Sequence, residues 1–194
     1  MPPAGKRERA PRTPRDPASE YRAKVAHEFS RLSRLIKESG HPAPLGDPAS
    51  GVMLVVEQPV GPRVTQALQR SLSAVGLPEA YVTYASTGLL AQEILAAEPH
   101  ALVAVGPGAA RDIDALEHPL AQCPFSTAES GAWFAWTKGT AGLNLPALVP
   151  ALEDEASKRR FWRAFLTLRS VATEPRICTF QRCLGLLKAV LDRW

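Results

Sequence analysis

A short apolar run, Val52 to Val56, leads directly into Glu57, and the loop continues Gln58-Pro59-Val60-Gly61. A carboxylate placed straight after a buried strand is positioned for general-base work or for stabilising a cation. A helix cap or a solvated loop residue has the same local sequence. Ser86-Thr87-Gly88 and Gly106-Pro107-Gly108 follow two further apolar runs. The second resembles a phosphate-cradling turn only loosely, because G-x-G-x-x-G is missing and no G-K-[ST] occurs; a tight strand-to-helix turn with Pro107 in the first helical position accounts for it. The four histidines stand at 27, 41, 100 and 118, without metal-site spacing and without H-E-x-x-H. No G-x-S-x-G elbow is present. Cys123 precedes Pro124 and has no basic neighbour to lower its pKa. With Cys178 and Cys183 it makes three cysteines and no C-x-x-C pair, so a four-cysteine zinc or iron–sulfur site is excluded. Neither a metal nor a cofactor is implied.

These residues are set in an alternating pattern. Val52–Glu57, Ala80–Ala85 and Ala101–Val105 read as strands. Val64, Leu68, Leu72 and Val75 mark a helix stopping at Gly76; Leu89, Leu90, Ile94 and Leu95 mark a second, and Ile113 and Leu116 a third. Strand and helix in turn imply a parallel sheet with crossovers on both faces. Ala132–Thr137 reads as a fourth strand, with Trp133 facing away from Phe134 and Trp136, and the Leu143 region as a fifth. A long helix over about 153–172 buries Phe161, Trp162, Phe165 and Leu168. The expected fold is α/β, a three-layer α/β/α sandwich over 52–172 with a mainly parallel sheet of four to five strands. In such sheets ligands meet the carboxyl ends of the strands.

The N-terminal fifth differs. Residues 1–40 hold ten Lys/Arg against five Asp/Glu, while 41–194 hold thirteen against fourteen. Residues 1–18, with five Pro and little that is apolar, read as a disordered basic arm. Over 19–40, Val25, Phe29, Leu32 and Ile36 form the stripe of an amphipathic helix, capped by Ser19 and ended by Gly40. Arg22, Lys24, Arg31 and Arg34 cover the remaining face as candidate DNA contacts. Residues 41–51, with three Pro and two Gly, read as a linker. An isolated helix of this length is marginal in water. The stripe is therefore expected to capture an external partner, and Phe29 is expected to be its anchor. Basic charge of this kind is drawn to polyanions, so the expected partner is DNA or a DNA-replication or repair protein, met through the N-terminal arm. Residues 173–194 suggest another helix, with Leu184, Leu187, Val190 and Leu191 apolar. It could dock on the sandwich, pair with the N-terminal helix or bind a partner. The longest uncharged run, Gly139–Leu152, is fourteen residues and broken by Gly and Pro. That is too short for a bilayer span, and no apolar core follows the basic start as a secretory signal requires. A cytoplasmic protein is expected.

With the strands laid out, residues 52–172 resemble the uracil-DNA glycosylase superfamily. The stretch E-P-H-A-L-V-A-V-G-P-G-A-A, Glu98 to Ala110, is similar to that family's P-x-x-I-V-A-L-G-x-x-A-A strand and turn. Val56-Glu57-Gln58-Pro59-Val60 falls where iron–sulfur members carry G-E-A-P-G with the catalytic carboxylate. Leu145-Pro146-Ala147 falls where they carry His-Pro-Ser or His-Pro-Ala, and Lys158, Phe161 and Trp162 resemble the closing helix. The resemblance implies a pocket lined by Gln58, Pro59, Tyr84, Gly106, Asn144 and Leu145, with Glu57 as the catalytic residue if activity survives. Tyr84 stands where active members place an Asn that reads uracil. Leu145 stands where a His stabilises the departing base, and it offers no hydrogen bond; His118-Pro119-Leu120 precedes the fourth strand and does not replace it. A site without both groups loses the electrostatic stabilisation on which such chemistry depends. The implied protein is a catalytically degenerate glycosylase-like domain acting in DNA-associated binding or as a replication or repair adaptor. One alternative is an active glycosylase in which Glu57 positions the water or the oxocarbenium ion. A second is a non-enzymatic accessory subunit similar to the psi subunit of the bacterial DNA polymerase III clamp loader, whose end resembles Leu145-Pro146-Ala147-Leu148 and the charged helix after it.

Overall fold

The computed structural model describes residues 16–173. Residues 1–15 of the arm expected over 1–18, all but the first residue of the helix expected over 173–194, Cys178 and Cys183 lie outside the described residues; residues 16–18 are not part of a disordered arm, since they cap and open α1. The chain forms α1 (Pro17–Glu38), β1 (Val52–Val56), α2 (Pro62–Ala74), β2 (Tyr81–Tyr84), α3 (Leu90–Ala97), β3 (Ala101–Val105), α4 (Pro107–Asp114), β4 (Trp133–Ala135), β5 (Ala141–Leu145), α5 (Pro150–Glu153), α6 (Glu155–Phe165) and α7 (Arg169–Thr173). The strands join one sheet in the order β2-β1-β3-β5-β4. All neighbours are parallel except β4, which runs antiparallel along the outer edge of β5. The architecture is the expected three-layer α/β/α sandwich.

Alternation along each strand builds two cores. Leu54, Val56, Val103, Val105, Leu143 and Leu145 face α2 and α6. Met53, Val55, Leu102 and Ala104 face α1, α3 and α4. β1, β2 and β3 are buried along their whole length, which explains their near-continuous apolar sequences. Trp133 packs on the α2/α6 side while Phe134 and Trp136 pack on the other, as alternation requires.

The N-terminal helix departs from expectation. It starts two residues before Ser19, with Asp16 as the cap and Pro17 in the first turn; Ser19 instead donates its hydroxyl to the Asp16 carbonyl. It ends as expected at Gly40, whose φ of 76° closes a Schellman turn through His41 N–H to Ile36 O and Gly40 N–H to Lys37 O. Its stripe is not free for a partner. Val25, Phe29, Leu32 and Ile36 are all buried, and Phe29 meets Tyr81 of β2 edge-to-face at 5.2 Å. Tyr21 Oη donates to the Ala97 carbonyl and Lys24 pairs with Glu98, tying the helix to the end of α3. The sheet has two faces to cover, and α3 and α4 leave the β2–β1 end of one face to α1. The 41–51 segment is correspondingly no loose linker. Leu45 exchanges two backbone hydrogen bonds with Val82, Asp47 N–H reaches Glu79 O, and residues 48–50 form a 3-10 turn.

The long closing helix is also broken. Asp154 separates α5 from α6, and a 3-10 turn at 166–168 separates α6 from α7. Phe161, Phe165 and Leu168 are buried at spacings of four and three, whereas Trp162 is 38 % exposed. It lies about 100° around the helix from Phe161 and stacks on Phe165 from outside.

Candidate functional site

The sheet reverses direction at β1 and β3: the chain leaves β1 toward one edge and β3 toward the other. The crevice between their carboxyl ends is where an open parallel sheet receives ligands, and Glu57 and the Gly106-Pro107-Gly108 turn meet there. Gly106 has a φ of 97°, so the turn demands glycine for its conformation, and Ala147 packs beside it at ordinary contact distance. Its N–H donates to the Leu145 carbonyl at 3.0 Å. Gly108 is the second residue of α4. The Glu57 carboxyl group fills the space into which a Gly108 side chain would project. A carboxylate there sits over the helix N-terminus, where the macrodipole favours negative charge.

Two hollows flank this turn. One, of about 380 Å³, is lined by Glu57, Gln58, Ser86 and Asp112 among others. The other, of about 640 Å³, lies between Asn144-Leu145-Pro146-Ala147 at the end of β5 and the Ser157, Arg160, Arg163 side of α6 with Thr167 of the turn after it. The first carries two carboxylates, the second two guanidinium groups.

The expected pocket residues are therefore not gathered. Glu57, Gln58 and Pro59 are exposed, and the first two share the acidic hollow. Tyr84 is buried in the α2-side core, where burial raises its pKa above the usual phenol range. Leu145 is buried in the same core, and only its edge reaches the second hollow. Asn144 faces the other layer, and its Nδ2 donates to the carbonyls of Phe125 (3.3 Å) and Ala128 (3.4 Å). It holds the loop before β4 in place. Arg22, Lys24, Arg31 and Arg34 are exposed on α1, on the face of the sheet opposite α6, and Lys24 and Arg31 are paired with Glu98 and Glu28. His118 leans on the Trp136 ring at 4.8 Å, away from both hollows. Among the described residues no group of three or more His, Cys, Asp or Glu is placed to hold a metal ion, and no helix is long and apolar enough to cross a membrane.

Two features escaped the sequence reading. Glu93 of α3 is wholly buried and accepts hydrogen bonds from Tyr81 Oη (2.6 Å) and Thr83 Oγ1 (2.9 Å). Burial raises its pKa, and the two hydroxyl donors oppose that rise. The signal was present: Glu93 shares a helical face with Leu90, Ile94 and Ala97, and Tyr81 and Thr83 alternate inward on β2. The second is the run Lys158-Arg159-Arg160, with Arg163 one turn on, which aims two arginines at the larger hollow.

Neither the family models nor the curated proteins compared with this chain match it.

Proposed function

We propose that this protein is a non-catalytic, DNA-associated binding module of the cytoplasm, a degenerate form of the glycosylase-like sandwich that serves replication or repair as an adaptor. One observation carries the reading. The groups that base excision needs in a single pocket are parted by the Gly106-Pro107-Gly108 turn: Glu57 lies against Gly108 on one side, and Leu145, with no hydrogen bond to offer a leaving base, borders the hollow on the other. Without a convergent donor, the departing base gains none of the stabilisation that usually contributes the largest catalytic effect. The acidic hollow around Glu57 and Asp112 also repels a phosphate backbone, whereas basic charge is concentrated elsewhere on the same edge.

The test is incubation of the full chain with uracil-containing single-stranded and duplex DNA, followed by detection of abasic sites. No excision is expected. Excision that disappears in Glu57→Gln would overturn the non-catalytic reading in favour of an active glycosylase.

A further inference from the structure

From the larger hollow we infer a binding site for single-stranded nucleic acid on the sandwich itself, with Arg160 and Arg163 holding backbone phosphate and the Pro146-Ala147 wall receiving the adjoining sugar or unpaired base. The inference rests on the DNA-associated reading and assigns it a surface. Ser157, Arg160 and Ala164 recur at spacings of three and four, so one face of α6 looks onto the hollow, and Thr167 of the following 3-10 turn extends it. Arg160 is held by a hydrogen bond from Nη2 to Ser157 Oγ at 3.1 Å, and the Ser157 N–H is in turn fixed by the Asp154 carboxylate at 2.7 Å. Among the described residues neither Arg160 nor Arg163 takes part in a salt bridge. No Asp or Glu lines the hollow. Both sides are anchored: Trp133 Nε1 donates to the Thr167 carbonyl at 3.3 Å on the helix side, and Ala147 abuts Gly106 on the other.

Charge distribution selects a polyanion over a lone phosphate. Residues 154–173 carry five Lys/Arg and two Asp/Glu, whereas 16–153 carry nine and fourteen. Residues 156–173 carry five Lys/Arg and no Asp/Glu; Arg159 and Arg169 are exposed on the same segment, and Lys158 pairs with Glu155 at 3.1 Å. Guanidinium groups suit phosphate geometry, and their charge is permanent. The apolar wall selects a single strand, because a duplex presents only its backbone at such an edge and leaves the half-buried Pro146 and Ala147 without a partner.

The full chain should bind a fluorescent oligo-dT of about twelve nucleotides, with affinity falling as salt rises. Arg160→Ala/Arg163→Ala should weaken binding at least about tenfold, as loss of charge-assisted hydrogen bonds does. It should also flatten the log–log salt slope by about 0.7 to 1.4, the release expected for one to two phosphates on a single strand. Arg163→Glu alone should weaken binding as well. Arg63→Ala/Arg70→Ala on α2 removes equal charge and should have little effect. Wild-type affinity and slope in the Arg160/Arg163 variant, or an equal loss in the α2 variant, would overturn this site while leaving DNA association intact. A wild-type protein that binds no oligonucleotide even at low salt would overturn the DNA-associated reading as well.

Discussion

Glu93 is the residue with the most at stake energetically. A carboxyl group taken fully out of water, with two hydroxyl donors and no cation beside it, is held toward its neutral form. Its pKa is raised above the unfolded value of 4.5, so at intermediate pH the unfolded chain has released a proton that the folded chain keeps. Folding stability is then fully present below pH 4.5 and is lost as pH rises through the folded pKa. Glu93→Gln keeps the size and the acceptor but cannot ionise. Its melting midpoint should gain on that of the wild-type protein as pH increases from 4.5 toward neutrality, measured by thermal denaturation across a pH series. Glu93→Ala should be destabilised at every pH, because it strands the Tyr81 and Thr83 hydroxyls at roughly 1–3 kcal/mol each. A wild-type protein whose midpoint follows that of the Gln variant at all pH values would contradict this account.

Among the elements, α1 decides how the N-terminal region behaves. Its stripe covers the sheet face beside β2, with Phe29 on Tyr81 and Leu32 in the same core. Truncating a buried Phe to Ala costs about 3–5 kcal/mol, which for a domain of this size lowers the melting midpoint by about 6–20 °C. Phe29→Ala is thus expected to be a folding variant, readable by thermal denaturation of the isolated protein. An unchanged midpoint would restore α1 to the role of a recognition helix. The 41–51 segment strengthens the coupling: Leu45 bonds Val82 of β2 and Asp47 bonds Glu79 just before that strand, so α1 is joined to the sheet through its tail as well as its face.

For the whole molecule the charge is polarised. Residues 1–15 contain five Lys/Arg and one Glu, and residues 16–173 contain fourteen Lys/Arg and sixteen Asp/Glu. Counterion release by the leader is independent of base sequence and greater per phosphate on a duplex than on a single strand, whereas the α6 hollow has an apolar wall suited to an unpaired strand. A chain beginning at Asp16 keeps the α1 cap and every contact described for that helix. It should retain its melting midpoint, lose affinity for duplex DNA and keep a preference for single strands in anisotropy titrations. A chain beginning at His41 lacks α1 and uncovers the apolar face of β2 and β1, and it should fail to fold cooperatively. Equal loss of duplex and single-strand binding on removal of 1–15 would place all nucleic-acid affinity in the leader.

The sequence alone determined the architecture. Continuous apolar runs at Val52–Val56 and Ala101–Val105 are the signature of strands buried on both faces, and the stripes between them demand helices, so the α/β/α sandwich and its mainly parallel sheet follow from burial periodicity. Gly40, Gly76 and Gly106 marked helix and strand ends because each needs a positive φ that side-chain-bearing residues resist. What periodicity cannot express is which surface an apolar stripe meets. The stripe of α1 reads the same whether a sheet or another protein covers it, and only the vacancy beside α3 decided for the sheet. Leu95 and Trp162 read as core yet are exposed, while Glu93 reads as surface yet is buried, because local spacing defines a face only to within a residue and hydrogen-bond partners on another strand settle the rest. The candidate site depended on tertiary structure most of all. Glu57, Asn144 and Leu145 all stand at strand ends, but the fold sends Glu57 to Gly108, Asn144 to the loop before β4 and Leu145 into the core. Arg160 and Arg163 come together with Pro146 only when α6 folds back across the end of β5.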